Sequence, residues 1–177
     1  MRKIAVTGAP ASGKSSVCQI LKKHGAFVVN SDDIAHQLLS PRTDLGQKIL
    51  ALLGSDVVEN EQFSRKKIAE TVFNDAKKLE ALEKLLHPII IKTISQLYEE
   101  VKSSNNASFF VVEMPLLFEI KNEGFYDTVI CVNADESSCC KRFVQSGFSN
   151  EDFAKRAARQ LTSKEKCRRS DIVIENN

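Results

Sequence analysis

The chain has no C-x-x-C pair. Its five cysteines, Cys18, Cys131, Cys139, Cys140 and Cys167, and its three histidines, His24, His36 and His87, are scattered. That leaves no zinc-ligand spacing. Charge of one sign is also lacking: 25 Lys and Arg face 23 Asp and Glu, a balance of +2. No broad polyanion-binding surface follows, so nucleic acid is not an expected partner. No apolar stretch approaches the roughly 20 residues of a membrane span. The first apolar run, Ile4 to Val6, is too short for an export signal. An odd cysteine count without such a signal sets the expectation of reduced thiols in a cytoplasmic protein. Internal repeats and low-complexity tracts are absent too. What remains is 177 residues, 42% hydrophobic and 27% charged. Those are ordinary globular values, enough for one good core and a small insert.

Against that plain background one motif stands out. Ile4-Ala5-Val6-Thr7 reads as a buried strand, and Gly8-Ala9-Pro10-Ala11-Ser12-Gly13-Lys14-Ser15 follows it at once. This is the G-x-x-x-x-G-K-[ST] spacing in the strand context that gives it meaning. Backbone N–H groups of such a loop cradle phosphates, Lys14 reaches the β- and γ-phosphates, and Ser15 is placed to hold Mg²⁺. Gly8 through Ser16 is therefore the expected nucleotide site, with ATP and Mg²⁺ as the expected cofactors.

The rest of the chain organises around that loop. A helix is expected over 13–24 and a second strand over 26–29. Strand, loop, helix and strand in this order make a βαβ unit with a parallel sheet. Helices are then expected over 33–39, 44–53, 64–73, 76–86 and, started by Pro88, 88–102. This block is too long for a simple crossover and reads as a substrate-binding insert at the carboxyl edge of the sheet. Strands follow at 109–112, 128–132 and 171–174, with helices at 136–144 and 151–161 between the last two. The predicted fold class is α/β: a three-layer parallel sheet of the phosphate-loop kinase type, with a helical insert and a helical lid. Residues 1–33 and 104–177 are expected to form the nucleotide-binding core, with the lid over about 138–160, and 34–103 the substrate-binding region.

Several side chains outside the loop suit the same chemistry. Asp32 and Asp33 end the second strand, where a carboxylate can take a proton from a substrate hydroxyl or hold Mg²⁺ through water, or simply cap the next helix. Glu113 ends the third strand, a position suited to metal or substrate support, and Pro115 then turns the chain. His87 fits a helix cap, a supporting donor or a ligand contact equally well. Arg142, Arg156 and Arg159 lie in the helical pair flanking Ser146-Gly147, where a closing lid needs cations to neutralise developing charge. Arg142 is the first choice among them.

Beyond the loop, Asn30-Ser31-Asp32-Asp33-Ile34, Leu85-Leu86-His87-Pro88-Ile89-Ile90, Glu113-Met114-Pro115-Leu116-Leu117-Phe118-Glu119 and Gln160 with Ser170 to Asn176 occur in this order. Together they make the whole chain similar to the dephospho-coenzyme A kinase family. The resemblance implies transfer of the ATP γ-phosphate to the ribose 3′-hydroxyl of 3′-dephospho-coenzyme A, the last step of coenzyme A synthesis. It implies Asp32, Lys14 and Arg142 as catalytic residues. It places Asp32, Arg65, His87, Glu113, Pro115 and Leu116 on the substrate side. The expected partner is that small molecule alone, with no membrane, and the working unit is expected to be a monomer. The alternatives are another phosphate-loop small-molecule kinase or a nucleotide-binding relative without activity. A guanine-reading N-K-x-D is missing, which argues against a nucleotide switch.

The chain departs from the family pattern at named places. Ala9 replaces a loop glycine, Pro10 offers no N–H, and Asn30 replaces an aspartate. The family carries a further helix beyond the last strand, so one face of the sheet is expected to be less covered here.

Overall fold

The computed structural model describes residues 1–73 and 75–177. The chain forms two compact units, residues 1–30 with 97–177, and residues 31–96. In the first, strand β1 (Arg2–Thr7) is buried at four successive residues, so both of its faces are covered. Helix α1 (Lys14–Lys23) follows the glycine-rich loop directly and ends on Lys22 and Lys23, which favour the negative end of its dipole. Gly25, at φ 85°, makes the turn into strand β2 (Phe27–Asn30).

The second unit is helical. Helix α2 (Ser31–Leu38) carries Asp32 and Asp33 in its first turn. Helix α3 (Asp44–Leu53) is capped by Thr43, whose hydroxyl accepts from the Gly46 N–H at 3.0 Å. A short hairpin, β3 (Val58–Glu59) and β4 (Gln62–Phe63), turns through Asn60 and Glu61, both at positive φ. Helices α4 (Arg65–Phe73) and α5 (Ala76–Ser104) complete the segment. Ile49, Leu53, Val57, Ile68, Val72 and Leu82 form its core. The two helices expected around Pro88 are one. Leu82, Ile90, Ile94 and Val101 keep a helical spacing through the proline and are all buried. An interior proline costs about 3 kcal/mol, whereas burying each such side chain returns about 1.5–3 kcal/mol.

Returning to the first unit, the chain runs through β5 (Phe109–Glu113), β6 (Thr128–Asn133), α6 (Glu136–Gln145), α7 (Asn150–Ala158), α8 (Ser163–Arg169) and β7 (Ile172–Glu175). The strands form an all-parallel sheet in the order β2-β5-β1-β6-β7, flanked by helices. Ile4, Val6, Cys18, Ala26, Val111, Ile130 and Val132 make its core against α1. In register, Val6 lies beside both Glu113 and Ile130, and Asn30 beside Glu113. The carboxyl ends of β1, β2 and β5 are thereby levelled at the edge where α/β proteins bind ligands.

Candidate functional site

The loop between β1 and α1 is shaped by contacts on several sides. Gly8 sits at φ 146°, and a Cβ there would run into the Val132 carbonyl oxygen and the Ser12 hydroxyl. The Ser12 N–H closes a turn onto the Ala9 carbonyl at 3.2 Å. Ala11 adopts a left-handed φ of 56°. The methyl groups of Ala9 and Ala11 pack on a cluster of Ala134, Cys139, Phe143 and Phe153 from the β6 end, α6 and α7. Ala9 thus has an apolar seat. Gly13, at φ 100°, is the N-cap of α1 and has no side chain to cap it. The first N–H groups of α1 consequently lack intrahelical partners, as anion-binding helix starts do.

Lys14 is buried and folds back over its own loop. Its ammonium donates to the carbonyl oxygens of Ala9 at 2.7 Å and Gly8 at 3.2 Å. Among the described residues the buried Ser12 hydroxyl has no hydrogen-bond partner, as suits a group that takes a phosphate oxygen. Ser15 donates from Oγ to Glu113 Oε1 at 2.9 Å, and Glu113 is buried at the end of β5. A hydroxyl and one carboxylate are the protein donors that Mg²⁺ takes when phosphates and waters fill the rest of its octahedron. Burial, reinforced by the Glu113 charge, pushes the neighbouring Cys18 thiol up to about 12. Burial first, then the Cys167 thiol 3.5 Å away, holds the Cys131 thiol at about 12 as well. These two cysteines are packing residues at neutral pH.

The expected lid arginines stand in the same unit. Arg142 Nη1 donates to the backbone carbonyl of Asn176 at 2.8 Å. Arg156 stacks on Phe143 and Phe148, 5.4 and 5.1 Å from their ring centres. Arg159 ends α7, and Gly147, at φ 92° with open space around it, joins α6 to α7.

Pro115 turns the chain after Glu113, and Leu116 follows half-buried. The Pro115 carbonyl is clamped by the Lys166 ammonium at 2.5 Å and the Thr7 hydroxyl at 3.3 Å. Lys166 is fully buried, donates also to Gln160 Oε1 at 2.9 Å, and pairs with Glu119 at 3.1 Å. Glu119 in turn accepts the Leu161 N–H at 2.7 Å. Sequence reasoning missed this hub, because Lys166 lies in a basic stretch that reads as a solvated face. Helix α8, which carries it, was missed as well, although Thr162 and Glu165 have the spacing of a helix start and the Thr162 hydroxyl accepts the Glu165 N–H at 3.2 Å.

In the second unit, Asp32, His36 and Arg65 form an electrostatic group. Burial and the Arg65 guanidinium hold the His36 pKa below its ordinary value, against the raising pull of Asp32 and Asp33. Beside them lies a cavity of about 500 Å³ lined by His36, Leu39, Pro41, Arg42, Phe63, Arg65 and polar neighbours. Arg42 pairs with Glu61 across part of its rim at 2.5 Å. His87 lies inside α5 and so caps no helix. Among the described residues no cluster of three His, Cys, Asp or Glu is placed to hold a metal by itself, and no helix is long and apolar enough to cross a membrane.

A parallel sheet whose first strand feeds a phosphate-cradling loop, with Lys14 and Ser15 opening the next helix, defines an α/β protein of the phosphate-loop kinase class. A family model described as dephospho-CoA kinase matches residues 2–177. The chain belongs to the dephospho-CoA kinase family. It is 42% identical to a dephospho-CoA kinase of Protochlamydia amoebophila, over all of this chain and 88% of that one. It is 41% identical to one of Chlamydia muridarum, over 99% of this chain and 87% of that one. Among solved structures, a Thermus thermophilus protein superposes with a TM-score of 0.81 at 30% identity, covering 99% of this chain and 88% of its own. A Campylobacter jejuni dephospho-CoA kinase superposes at 0.70 with 28% identity and the same coverage.

Proposed function

We propose that the protein is an ATP-dependent dephospho-CoA kinase, working as a single chain, that phosphorylates the ribose 3′-hydroxyl of 3′-dephospho-coenzyme A and so completes coenzyme A synthesis. The observation that carries this reading is the family match over residues 2–177, and the G-x-x-x-x-G-K-S spacing of Gly8 to Ser15 supports it. In the reaction the 3′-oxygen attacks the γ-phosphorus and gives its proton to Asp32. The bond from the γ-phosphorus to the β–γ bridging oxygen breaks, and ADP leaves. Lys14 exchanges its loop carbonyls for the β- and γ-oxygens. Loop N–H groups and the Ser12 hydroxyl take the remaining phosphate oxygens, and Arg142 adds positive charge where the transition state spreads its negative charge. Ser15, backed by Glu113, would hold Mg²⁺, which supplies charge neutralisation on the triphosphate.

On the acceptor side, Arg65 and Arg42 suit the diphosphate, and Leu39, Pro41 and Phe63 in the same cavity suit an apolar arm. His87, Glu113, Pro115 and Leu116 are the remaining substrate-side residues of this reading. The test is ADP release from ATP and Mg²⁺ with and without dephospho-coenzyme A, with the product weighed. ADP release that depends on the acceptor, and a product heavier by one phosphoryl group, are expected. A folded, ATP-binding sample that gives neither refutes the assignment.

A further inference from the structure

The peptide joining Ser12 to Gly13 is held from behind by the residue that follows β7. Asn176 Nδ2 donates to the Ser12 carbonyl oxygen at 2.9 Å. A Cβ on Gly13 would collide with that same amide nitrogen. Asn176 is itself fixed, because its N–H donates to the Asn133 carbonyl at 2.8 Å, and the next side chain, Asn177 Oδ1, accepts the Asp135 N–H at 2.8 Å. Both bonds extend the β6–β7 pairing past the last strand residue. The sheet thus places the Asn176 amide against the loop.

The geometry of a trans peptide gives this contact its consequence. Carbonyl and N–H of one peptide plane point in opposite directions. An amide bonded to the Ser12 oxygen therefore turns the Gly13 N–H away from Asn176. Gly13 is the residue on which α1 starts, where a free N–H serves an anion. Only glycine allows both the φ of 100° and the close approach of the asparagine.

We infer that Asn176 is a positioning residue for catalysis: its side-chain amide sets the Ser12–Gly13 peptide so that the Gly13 N–H faces the nucleotide phosphates. This rests on the reading of the loop as the ATP site. The residue has a second arm. Its backbone carbonyl accepts from Arg142 at 2.8 Å, so one residue ties the loop and a lid arginine to the same strand end. A side-chain substitution cuts the first arm and leaves the second in place.

The test uses the full chain with Asn176→Asp and Asn176→Ala. The aspartate keeps the shape but turns a donor into an acceptor facing a carbonyl. The dissociation constant of Mg–ATP and its KM are expected to rise about tenfold or more in both variants, the scale of one well-placed hydrogen bond. KM for dephospho-coenzyme A is expected to stay within about twofold of the wild type. A purely structural role would instead lower Tm and the active fraction with the KM for ATP unchanged. In the wild type, the Gly13 amide resonance should shift downfield on binding ADP. Variants that fold and bind ATP like the wild type overturn the proposal alone. So does a wild-type Gly13 amide that ADP leaves unmoved, which covers the case in which the variants do not fold. A wild type that binds no ATP overturns this inference and the ATP-site reading together.

Discussion

Replacing Lys166 by methionine tests the buried hub behind the turn that follows Glu113. Lys166 is fully buried, and its ammonium serves the Pro115 carbonyl, the Gln160 amide oxygen and Glu119. Methionine fills much of the volume but serves none of them. Removing one partner of a buried ion pair costs about 3–5 kcal/mol, because the other charge is left unpaired. Glu119 keeps 15% side-chain exposure, so water relieves part of that, and about 3 kcal/mol is expected. With a urea slope of about 2 kcal/mol per molar, the unfolding midpoint should fall by about 1.5 M. The double variant Lys166→Met, Glu119→Gln removes the orphaned charge and should recover about 1 kcal/mol or more. The same lysine predicts a pH dependence. Burial holds its native pKa below the ordinary 10.5. Between the native value and 10.5 the unfolded chain binds more protons, so this group makes the native state more stable as pH rises through that window. The buried Cys18 and Cys131 thiols, held at about 12, pull the other way in both proteins. The readout is therefore the difference: the stability gap between the wild type and Lys166→Met should widen as pH rises through that window. A midpoint shift below about 0.5 M for the single variant, or a double variant no better than the single one, refutes the hub as a stabilising pair.

Gly46→Ala should destabilise although alanine is the better helix former. The added methyl would overlap the Ser40 carbonyl oxygen and the Pro41 backbone, so a loss of about 1–3 kcal/mol in urea unfolding is expected, not the usual gain of about 1 kcal/mol. Lys14→Met should lower kcat by about 100-fold or more in the coupled ADP assay, with the fold checked by circular dichroism, because the variant has no ammonium to place on the phosphates. Asp32→Asn should cut kcat by about 100-fold or more with dephospho-coenzyme A binding retained in calorimetry. Unchanged turnover in that variant would remove Asp32 from the role of base.

The parts legible in the sequence were those written in short range. Strand β1, the loop, α1 and β2 follow from two apolar runs, a fixed spacing and the Gly25 turn between helix and strand. The burial of β5 and β6 follows from continuous apolar runs, which a parallel sheet covered on both faces requires. Less legible was anything decided by a neighbour far along the chain. Pro88 reads as a helix start, yet the apolar stripe on either side of it carries α5 straight through. The Asn60-Glu61 turn lacks the glycine that announces a tight hairpin, and its residues take positive φ all the same. Lys166 looks like one more surface cation until Pro115, Gln160 and Glu119 surround it. Asn176 stood only as the last letter of a motif. Its partner Ser12 lies 164 residues away, and no local pattern encodes that contact.

The departures in the loop take on a different meaning once those distant contacts are counted. A glycine-rich phosphate loop is mobile by composition and must be ordered when the anion arrives, which costs binding free energy. Here the methyl groups of Ala9 and Ala11 are seated on the α6–α7 cluster. Gly8 abuts the Val132 carbonyl, and the Ser12 carbonyl is held by Asn176. Lys14 is pinned on the loop's own carbonyls, and Ser15 on Glu113. Pro10 adds stiffness without an N–H, and the turn around it closes through the Ser12 N–H instead. Ala9, Pro10 and Ala11 thus restrict the loop where the fold supplies contacts to hold it. Ala11 at φ 56° carries the cost of that arrangement, about 1–2 kcal/mol for a left-handed alanine. Such a residue persists only where its surroundings over-determine it. A loop ordered before the nucleotide arrives leaves more of the binding free energy for the charge that develops as the phosphoryl group moves.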